Sequence, residues 1–153
     1  EGPTLREWCD ENPDATASQR IRLLRTVAAA LDEMHSGAST EVPVAHGDVK
    51  PANIVVTGEG ATVLVDLGLT QLADGAGPSG YSGPYAAPEL RRPGARPSPE
   101  ADRFAFVVTT AQVVLGAPPP VDGRGWLDAG ELARMLATNP VSARRPAMVK
   151  RLV

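Results

Sequence analysis

The sequence predicts a single, mainly α-helical domain that carries one small β-hairpin, and three observations support this fold class. Two segments, at about 18–35 and 99–115, have the length and the apolar content of helices. Only two short runs, 53–56 and 61–65, have the β-branched composition of paired strands. The chain of 153 residues is long enough to bury one hydrophobic core, so one domain is expected.

The first two predicted helices have clear start and stop signals. Thr4 and Glu7 have the spacing of a capping box, which predicts a short helix over residues 4–11. Apolar side chains then recur at steps of three and four residues over about 18–35, and Gly37 supplies the stop. The second helix is therefore expected to bury one face and to expose the other.

A β-hairpin is predicted next, with a glycine-containing turn at 57–60 between the two short strands. The following segment, from Thr70 to Pro88, is rich in Gly, Ser, Pro and Ala and has no periodicity. Structureless segments of about twenty residues are uncommon in compact domains and usually have a function. We therefore expect a mobile or substrate-ordered segment there.

The remainder of the chain is predicted to be helical. Ser98-Pro99 places a capping side chain and a first-turn proline at the start of a third helix. Gly116 and the three prolines at 118–120 end that helix. A further helix is predicted over about 128–138, and a last one begins at Pro146.

Composition excludes several classes of function. The formal net charge of −3 argues against a nucleic-acid partner, which requires clustered Lys and Arg. A single cysteine, Cys9, excludes an internal disulfide and a cysteine-rich metal site. The longest apolar run, 104–115, is shorter than the roughly 20 residues that a membrane span requires, so no membrane contact is expected from this region. Because the chain opens on Glu1-Gly2-Pro3 without a Met, we expect it to be a fragment.

Most of the chemical information lies in the run His46-Gly47-Asp48-Val49-Lys50-Pro51-Ala52-Asn53. A second aspartate, Asp66, follows Asp48 after eighteen positions and directly after the apolar residues 63–65. The predicted hairpin between the two aspartates would bring these side chains into one cleft. An Asp, a Lys, an Asn and a second Asp at this spacing form the pattern that phosphoryl transfer from ATP uses.

Three motifs together resemble those of eukaryotic-type serine/threonine protein kinases, including the bacterial members. Residues 46–53 resemble the catalytic loop, Asp66-Leu67-Gly68 the magnesium-binding loop, and Ala87-Pro88-Glu89 the end of the activation segment. The resemblance covers residues 1–153 as the C-terminal lobe of a kinase catalytic domain. The glycine-rich loop and the strand lysine of an N-terminal lobe have no counterpart, so this fragment alone is expected to be inactive.

The resemblance implies a role for each residue of the site. Asp48 would accept or orient the proton of the substrate hydroxyl, and Lys50 would neutralise charge on the γ-phosphate. Asn53 and Asp66 would hold the Mg²⁺ that bridges the phosphates of ATP. Val55 would form part of the apolar floor under adenine. Mg²⁺ and ATP are thus the implied cofactors. Asp48 and Lys50 are the implied catalytic residues. The residues implied to bind the cofactors are Lys50, Asn53, Val55 and Asp66.

Other positions are assigned structural or supporting roles by the same resemblance. Ser82 aligns with a hydroxyl residue that hydrogen-bonds the catalytic Asp and Lys. Glu89 and Arg145 would form a buried ion pair that holds the activation segment to the lobe. Asp102, at the start of the third helix, would anchor the backbone of the catalytic loop.

Gly47 departs from the family pattern, which usually has an arginine before the catalytic aspartate. Without that arginine, a phosphorylated activation segment would lack its main charge partner. We therefore expect that activity does not depend on phosphorylation of that segment.

The sequence as a whole predicts ATP-dependent phosphoryl transfer to Ser and Thr hydroxyls of a protein substrate. The implied partners are that substrate and the chain's own N-terminal lobe. The implied location is the cytoplasm, either in a free protein or in the cytoplasmic part of a membrane-anchored one. Two alternatives stay open: a pseudokinase-type scaffold, and a small-molecule kinase of the aminoglycoside or choline type, which has a similar His-Gly-Asp loop. Lys50-Pro51, Ala87-Pro88-Glu89 and Asp102 weigh against the small-molecule kinase.

Overall fold

The computed structural model describes residues 2–38, 41–66, 83–92 and 94–139. Its helices and strands are, in chain order, α1 (Leu5–Glu11), α2 (Ala17–Ser36), β1 (Ile54–Val56), β2 (Thr62–Leu64), α3 (Pro99–Leu115) and α4 (Ala129–Thr138). Short 3₁₀ turns lie at Pro51–Asn53, Gly83–Tyr85 and Pro88–Arg91. The predicted fold class, mainly helical with a two-stranded hairpin, is confirmed.

Both N-terminal helices begin at a capping box. In α1, Thr4 Oγ1 accepts a hydrogen bond from Glu7 N at 3.2 Å, and Glu7 Oε2 accepts one from Thr4 N at 2.8 Å. In α2 the box consists of Thr16 and Gln19, so the helix begins slightly earlier than its apolar periodicity indicates. Gly37, with φ of +70°, ends α2 as predicted.

The main core lies between α2, α3 and one face of the hairpin. Its buried members are Leu5, Leu23, Leu24, Val27, Leu31, Val49, Ile54, Val56, Ala105 and Val113. The strands are antiparallel, and Ile54 lies opposite Leu64 on the face that turns toward this core. The other face carries the cross-strand pair of Val55 and Val63, and Val63 is 50% exposed. The hairpin therefore has one packed face and one open face.

A buried arginine joins the start of α2 to the end of α3. The Arg20 guanidinium donates to the carbonyl oxygens of Asn12, Pro13 and Ala15 at 3.0–3.1 Å. It also donates to the carbonyl oxygen of Val113 at 3.3 Å. These bonds satisfy a charged side chain that would otherwise be costly to bury.

The segment 70–88, expected to be mobile or ordered by substrate, is only partly described. From Gly83 onward the chain forms the 3₁₀ turns at 83–85 and 88–91. Proline at position 88 fixes a backbone angle that suits such a turn. The earlier residues 70–82 and the helix predicted from Pro146 lie outside the described residues.

None of the helices in the described ranges has both the length and the apolar character needed to cross a membrane.

Gly37, which ends α2 with a left-handed backbone, provides a test of the fold. A Cβ at Gly37 would be strained at its positive φ and would lie 2.9 Å from the carbonyl carbon of Val42. We expect Gly37→Ala to lower the free energy of unfolding by about 1–2 kcal/mol. Urea denaturation of the purified protein measures this loss.

Gly58→Ala is the matched control, because a Cβ at Gly58 would meet no atom within 4 Å and the residue is not left-handed. We expect its unfolding midpoint to stay close to that of the unaltered protein. Equal midpoints for the two variants would show that the left-handed stop does not limit stability.

Candidate active site

The loop at 46–53 is tethered to α3 through one buried carboxylate. Asp102 Oδ2 accepts a hydrogen bond from His46 N at 2.7 Å, and Asp102 Oδ1 accepts one from Gly47 N at 2.8 Å. Asp102 is 1% exposed. His35 Nε2, at the end of α2, lies 2.9 Å from the same Oδ2 and donates to it. Three donors thus compensate the burial of this charge, and the anchoring role predicted for Asp102 is confirmed.

His46 connects the loop to the strand that precedes Asp66. Its ring is fully buried, and Nδ1 accepts a hydrogen bond from Asp48 N at 3.2 Å. Nδ1 must therefore lack a proton, and Nε2 carries it. Nε2 lies 3.1 Å from the carbonyl oxygen of Val65 and donates to it. A neutral imidazole of this single tautomer satisfies both nitrogens.

Gly47 has a left-handed backbone, with φ of +84°. Residues with a Cβ adopt this region only at an energetic cost, whereas glycine adopts it readily. The same residue donates its N–H to Asp102, so its backbone is fixed as well as unstrained. The departure from the family pattern at this position therefore suits the local geometry.

Three predicted site residues meet at one carboxylate oxygen. Asp48 Oδ2 accepts from Lys50 Nζ at 2.7 Å and from Asn53 Nδ2 at 2.9 Å. Asn53 Nδ2 also donates to the backbone oxygen of Asp48 at 2.9 Å. The Asp48 side chain is 10% exposed and that of Lys50 is 24% exposed. These two donors satisfy the Asp48 carboxylate in a partly buried position, with a cation beside it.

Asp66 is exposed, and a backbone hydrogen bond of the preceding residue connects it to this cluster. Val65 N donates to the carbonyl oxygen of Asn53 at 2.8 Å. Val65 directly precedes Asp66, so this bond holds Asp66 near Asn53, the other predicted metal ligand. Asp66 has φ of +64°, an uncommon value for a residue that has a side chain. Strained backbones of this kind cluster at functional sites, where the surrounding structure holds them in place.

Val55 lies on the open face of the hairpin and is half-buried. Its cross-strand neighbour Val63 is on the same face, so the two side chains form a small apolar surface. The sequence predicts a place for Val55 under adenine, and its position on the open face is compatible with that prediction.

Asn53 and Asp66 have the chemistry of a magnesium site. Because Asn53 uses its amide nitrogen to bond Asp48, the amide oxygen is the atom suited to a metal. A carboxylate and an amide oxygen are hard ligands, and Mg²⁺ commonly takes one or two protein ligands together with phosphate oxygens and water. In the described part of the chain, no group of three or more His, Cys, Asp or Glu forms a metal cluster. The oxygen ligands of Asn53 and Asp66 fit a hard divalent cation such as Mg²⁺.

Some predicted residues cannot be placed. Leu67, Gly68, Ser82 and Arg145 lie outside the described residues, so the hydroxyl partner and the Glu89–Arg145 ion pair stay predictions.

Sequence reasoning missed the two histidines that position the loop. His35 falls at the end of the second predicted helix, and no spacing rule links it to Asp102. Its Nδ1 is the one buried side-chain polar atom without a partner in the described ranges. His46 was expected as part of a motif, but its contact with Val65 depends on the fold of the hairpin.

Comparison with known proteins identifies the family. Residues 1–143 match the model of the protein kinase domain. The chain is 32% identical over 126 residues to the serine/threonine-protein kinase PknD of Mycobacterium tuberculosis. This match covers 78% of this chain and 18% of that protein. It is 38% identical over 111 residues to L-type lectin-domain containing receptor kinase I.7 of Arabidopsis thaliana, covering 69% of this chain and 16% of that protein.

Another relative bears on the question of activity. The chain is 32% identical over 126 residues to a leucine-rich repeat receptor-like protein kinase of Arabidopsis thaliana whose name marks its activity as doubtful. That match covers 80% of this chain and 16% of that protein.

The chain spans less than a fifth of the length of each of these three relatives. The family match nevertheless extends over nearly all of it, and all three relatives carry serine/threonine, receptor or receptor-like kinase names. This chain therefore belongs to the protein kinase family.

Proposed function

We propose that this chain is the C-terminal lobe of a serine/threonine protein kinase that transfers the γ-phosphoryl group of ATP to a protein hydroxyl. The observation that carries the proposal is the meeting of Lys50 and Asn53 at one oxygen of Asp48, on a loop fixed by Asp102. Such an arrangement is suited to phosphoryl transfer, where catalysis consists mainly of positioning and of electrostatic stabilisation.

In this proposal Asp48 orients the substrate hydroxyl. The hydroxyl oxygen forms a bond to the γ-phosphorus while the bond from that phosphorus to the β,γ-bridging oxygen breaks, and ADP leaves. The hydroxyl proton passes to Asp48. Lys50, 2.7 Å from Asp48 Oδ2, can lie close to the transferred group and neutralise part of its negative charge.

Asn53 and Asp66 would hold Mg²⁺, which supplies charge neutralisation at the phosphates. The chain prepares these ligands before any nucleotide binds. The Val65–Asn53 backbone bond sets the spacing of the two residues, and the Asp48–Asn53 side-chain bond sets the orientation of the amide. Little reorganisation is then required when the phosphates arrive.

The open hairpin face supports the remaining elements of the proposal. Val55 and Val63 offer an apolar surface of the kind on which adenine packs, and an N-terminal lobe would cover it. We propose such a lobe as an intramolecular partner and a Ser/Thr-containing protein as the substrate, without nucleic acid or membrane contact from this region. We also propose the cytoplasm as the location, in a free protein or in the cytoplasmic part of a receptor-like one.

A pseudokinase scaffold is the second candidate, favoured by the relative whose name marks its activity as doubtful. The retention of Asp48, Lys50, Asn53 and Asp66 supports an active enzyme instead. A phosphoryl-transfer assay separates the two.

The first experiment measures transfer from [γ-³²P]ATP by the full-length protein to itself and to a generic Ser/Thr substrate. We expect Asp66→Asn to lower transfer at least about a hundredfold, because it removes a charged metal ligand. The requirement for Mg²⁺ should also shift to higher concentration. Equal labelling by both proteins would contradict the kinase proposal.

Asp48→Asn tests the proton acceptor. This change keeps the size of the side chain but removes the basic oxygen, so we expect kcat to fall by about 10²–10⁴-fold. The KM for ATP should change little, because Asp48 is not assigned to the nucleotide. Steady-state kinetics give both constants.

Asp32→Asn is the matched control, because Asp32 is an exposed residue of α2 and is not part of the loop. Its kcat should equal that of the unaltered protein. If Asp48→Asn retained a kcat within threefold of this control, Asp48 would not be the acceptor.

The glycine at position 47 predicts independence from activating phosphorylation. Since Gly47 offers no charge to a phosphate, complete dephosphorylation with a phosphatase should leave the transfer rate unchanged within about twofold. The rate is compared before and after treatment, with removal of phosphate verified by mass spectrometry. A loss of tenfold or more that rephosphorylation restores would contradict this expectation.

A further inference from the structure

A cleft of about 660 Å³ lies between α1, the start of α2 and the end of α3. Pro51 also lines this cleft, and it directly follows Lys50, whose Nζ is 2.7 Å from Asp48 Oδ2. Gln112 of α3 lines the cleft as well and accepts a hydrogen bond from the Tyr85 hydroxyl. Tyr85 in turn shares a smaller cleft with Asp48. The large cleft therefore begins close to the proposed proton acceptor.

Arg6 places a positive charge on the wall of this cleft. The residue is exposed, and no carboxylate of the described part of the chain forms an ion pair with it. Burial raises the pKa of Tyr85, the positive charge of Arg6 opposes this increase, and the negative charge of Asp48 adds to it. Tyr85 thus lies within electrostatic range of both Arg6 and Asp48.

The remaining charges of the lining leave it positive. The lining contains two arginines, Arg6 and Arg20, and one aspartate, Asp10. Arg20 is buried, and its guanidinium donates to four carbonyl oxygens, which carry no net charge. Burial raises the pKa of the Cys9 thiol, and the opposite charges of Arg20 and Asp10 both act on this group. Asp10 therefore faces the part of the cleft near Arg20, and Arg6 faces the part near Tyr85.

We propose that Arg6 is a specificity-determining residue that binds an acidic side chain of the protein substrate in this cleft. This inference rests on the proposed kinase function. An extended peptide advances about 3.3–3.6 Å per residue, so side chains two or three positions from the accepted hydroxyl lie about 7–10 Å from it. The acidic residue is therefore expected two or three positions from the Ser or Thr. A guanidinium suits this role, because its planar donors match the two oxygens of a carboxylate.

Peptide substrates test the inference with the full-length protein. Each peptide contains one serine in a neutral sequence, with Glu, Gln or Lys placed two or three positions before or after the serine. At one of these positions the Glu peptide should have a kcat/KM about two- to fivefold above that of the Gln peptide, the size expected for an exposed ion pair. The Lys peptide should have the lowest kcat/KM. About 0.5 M NaCl should reduce these differences, because salt screens exposed charges.

Two variants of Arg6 connect the preference to this residue. Arg6→Gln should abolish the difference between the Glu and Lys peptides, and Arg6→Glu should reverse their order. Neither change removes a hydrogen bond of the Arg6 side chain, because it makes none with the described residues. Arg25→Glu is the matched control, because Arg25 is exposed on α2, does not line the cleft and undergoes the same change of charge. This control should keep the preference of the unaltered protein.

Equal kcat/KM values for the Glu and Gln peptides at every position, or a Glu preference that persists in Arg6→Glu, would overturn the proposal. A binding measurement provides a second readout that does not require transfer. Fluorescence anisotropy gives the Kd of labelled peptides in which Ala replaces the serine, and the Glu peptide should bind more tightly than the Lys peptide. If no peptide is phosphorylated, the kinase function fails, and equal Kd values would then separately reject the role of Arg6.

Discussion

The candidate site depends on the burial of one carboxylate, that of Asp102. An ionised group that is 1% exposed carries a large desolvation cost, and here three hydrogen bonds compensate it. Two of the donors belong to the backbone of the loop at 46–53, and the third belongs to His35 on another helix. The same interaction therefore joins α2 to α3 and fixes the backbone that presents Asp48. A surface carboxylate could not do this, because water would compete for each donor.

Further hydrogen bonds connect this loop to the hairpin. His46 bonds the Asp48 amide with one nitrogen and the Val65 carbonyl with the other. Asn53 bonds Asp48 through its side chain and Val65 through its backbone. Asp48, Asn53 and Val65, the residue before Asp66, are thus parts of one hydrogen-bonded unit. A displacement of one would be transmitted to the others, since such networks are cooperative.

The sequence predicted the helices well because their caps and glycine stops are local signals. The capping box at Thr4 and the left-handed Gly37 illustrate this. The cluster at Asp48 could also be predicted, since its members lie within six residues of one another. The partnership of His35 with Asp102 and the contact of Arg91 with Trp126 could not. Both join residues that are far apart in the chain, and neither residue type is specific to its role.

The way in which Asp102 holds the loop has an evolutionary consequence. Its two oxygens accept from backbone N–H groups at positions 46 and 47, and every residue except proline supplies such a group. The side chain at position 47 can therefore change over time without loss of the loop's shape, provided that the left-handed backbone is tolerated. A change of side chain at position 47 can thus leave the position of the neighbouring Asp48 unchanged, because the bonds to Asp102 involve only the backbone.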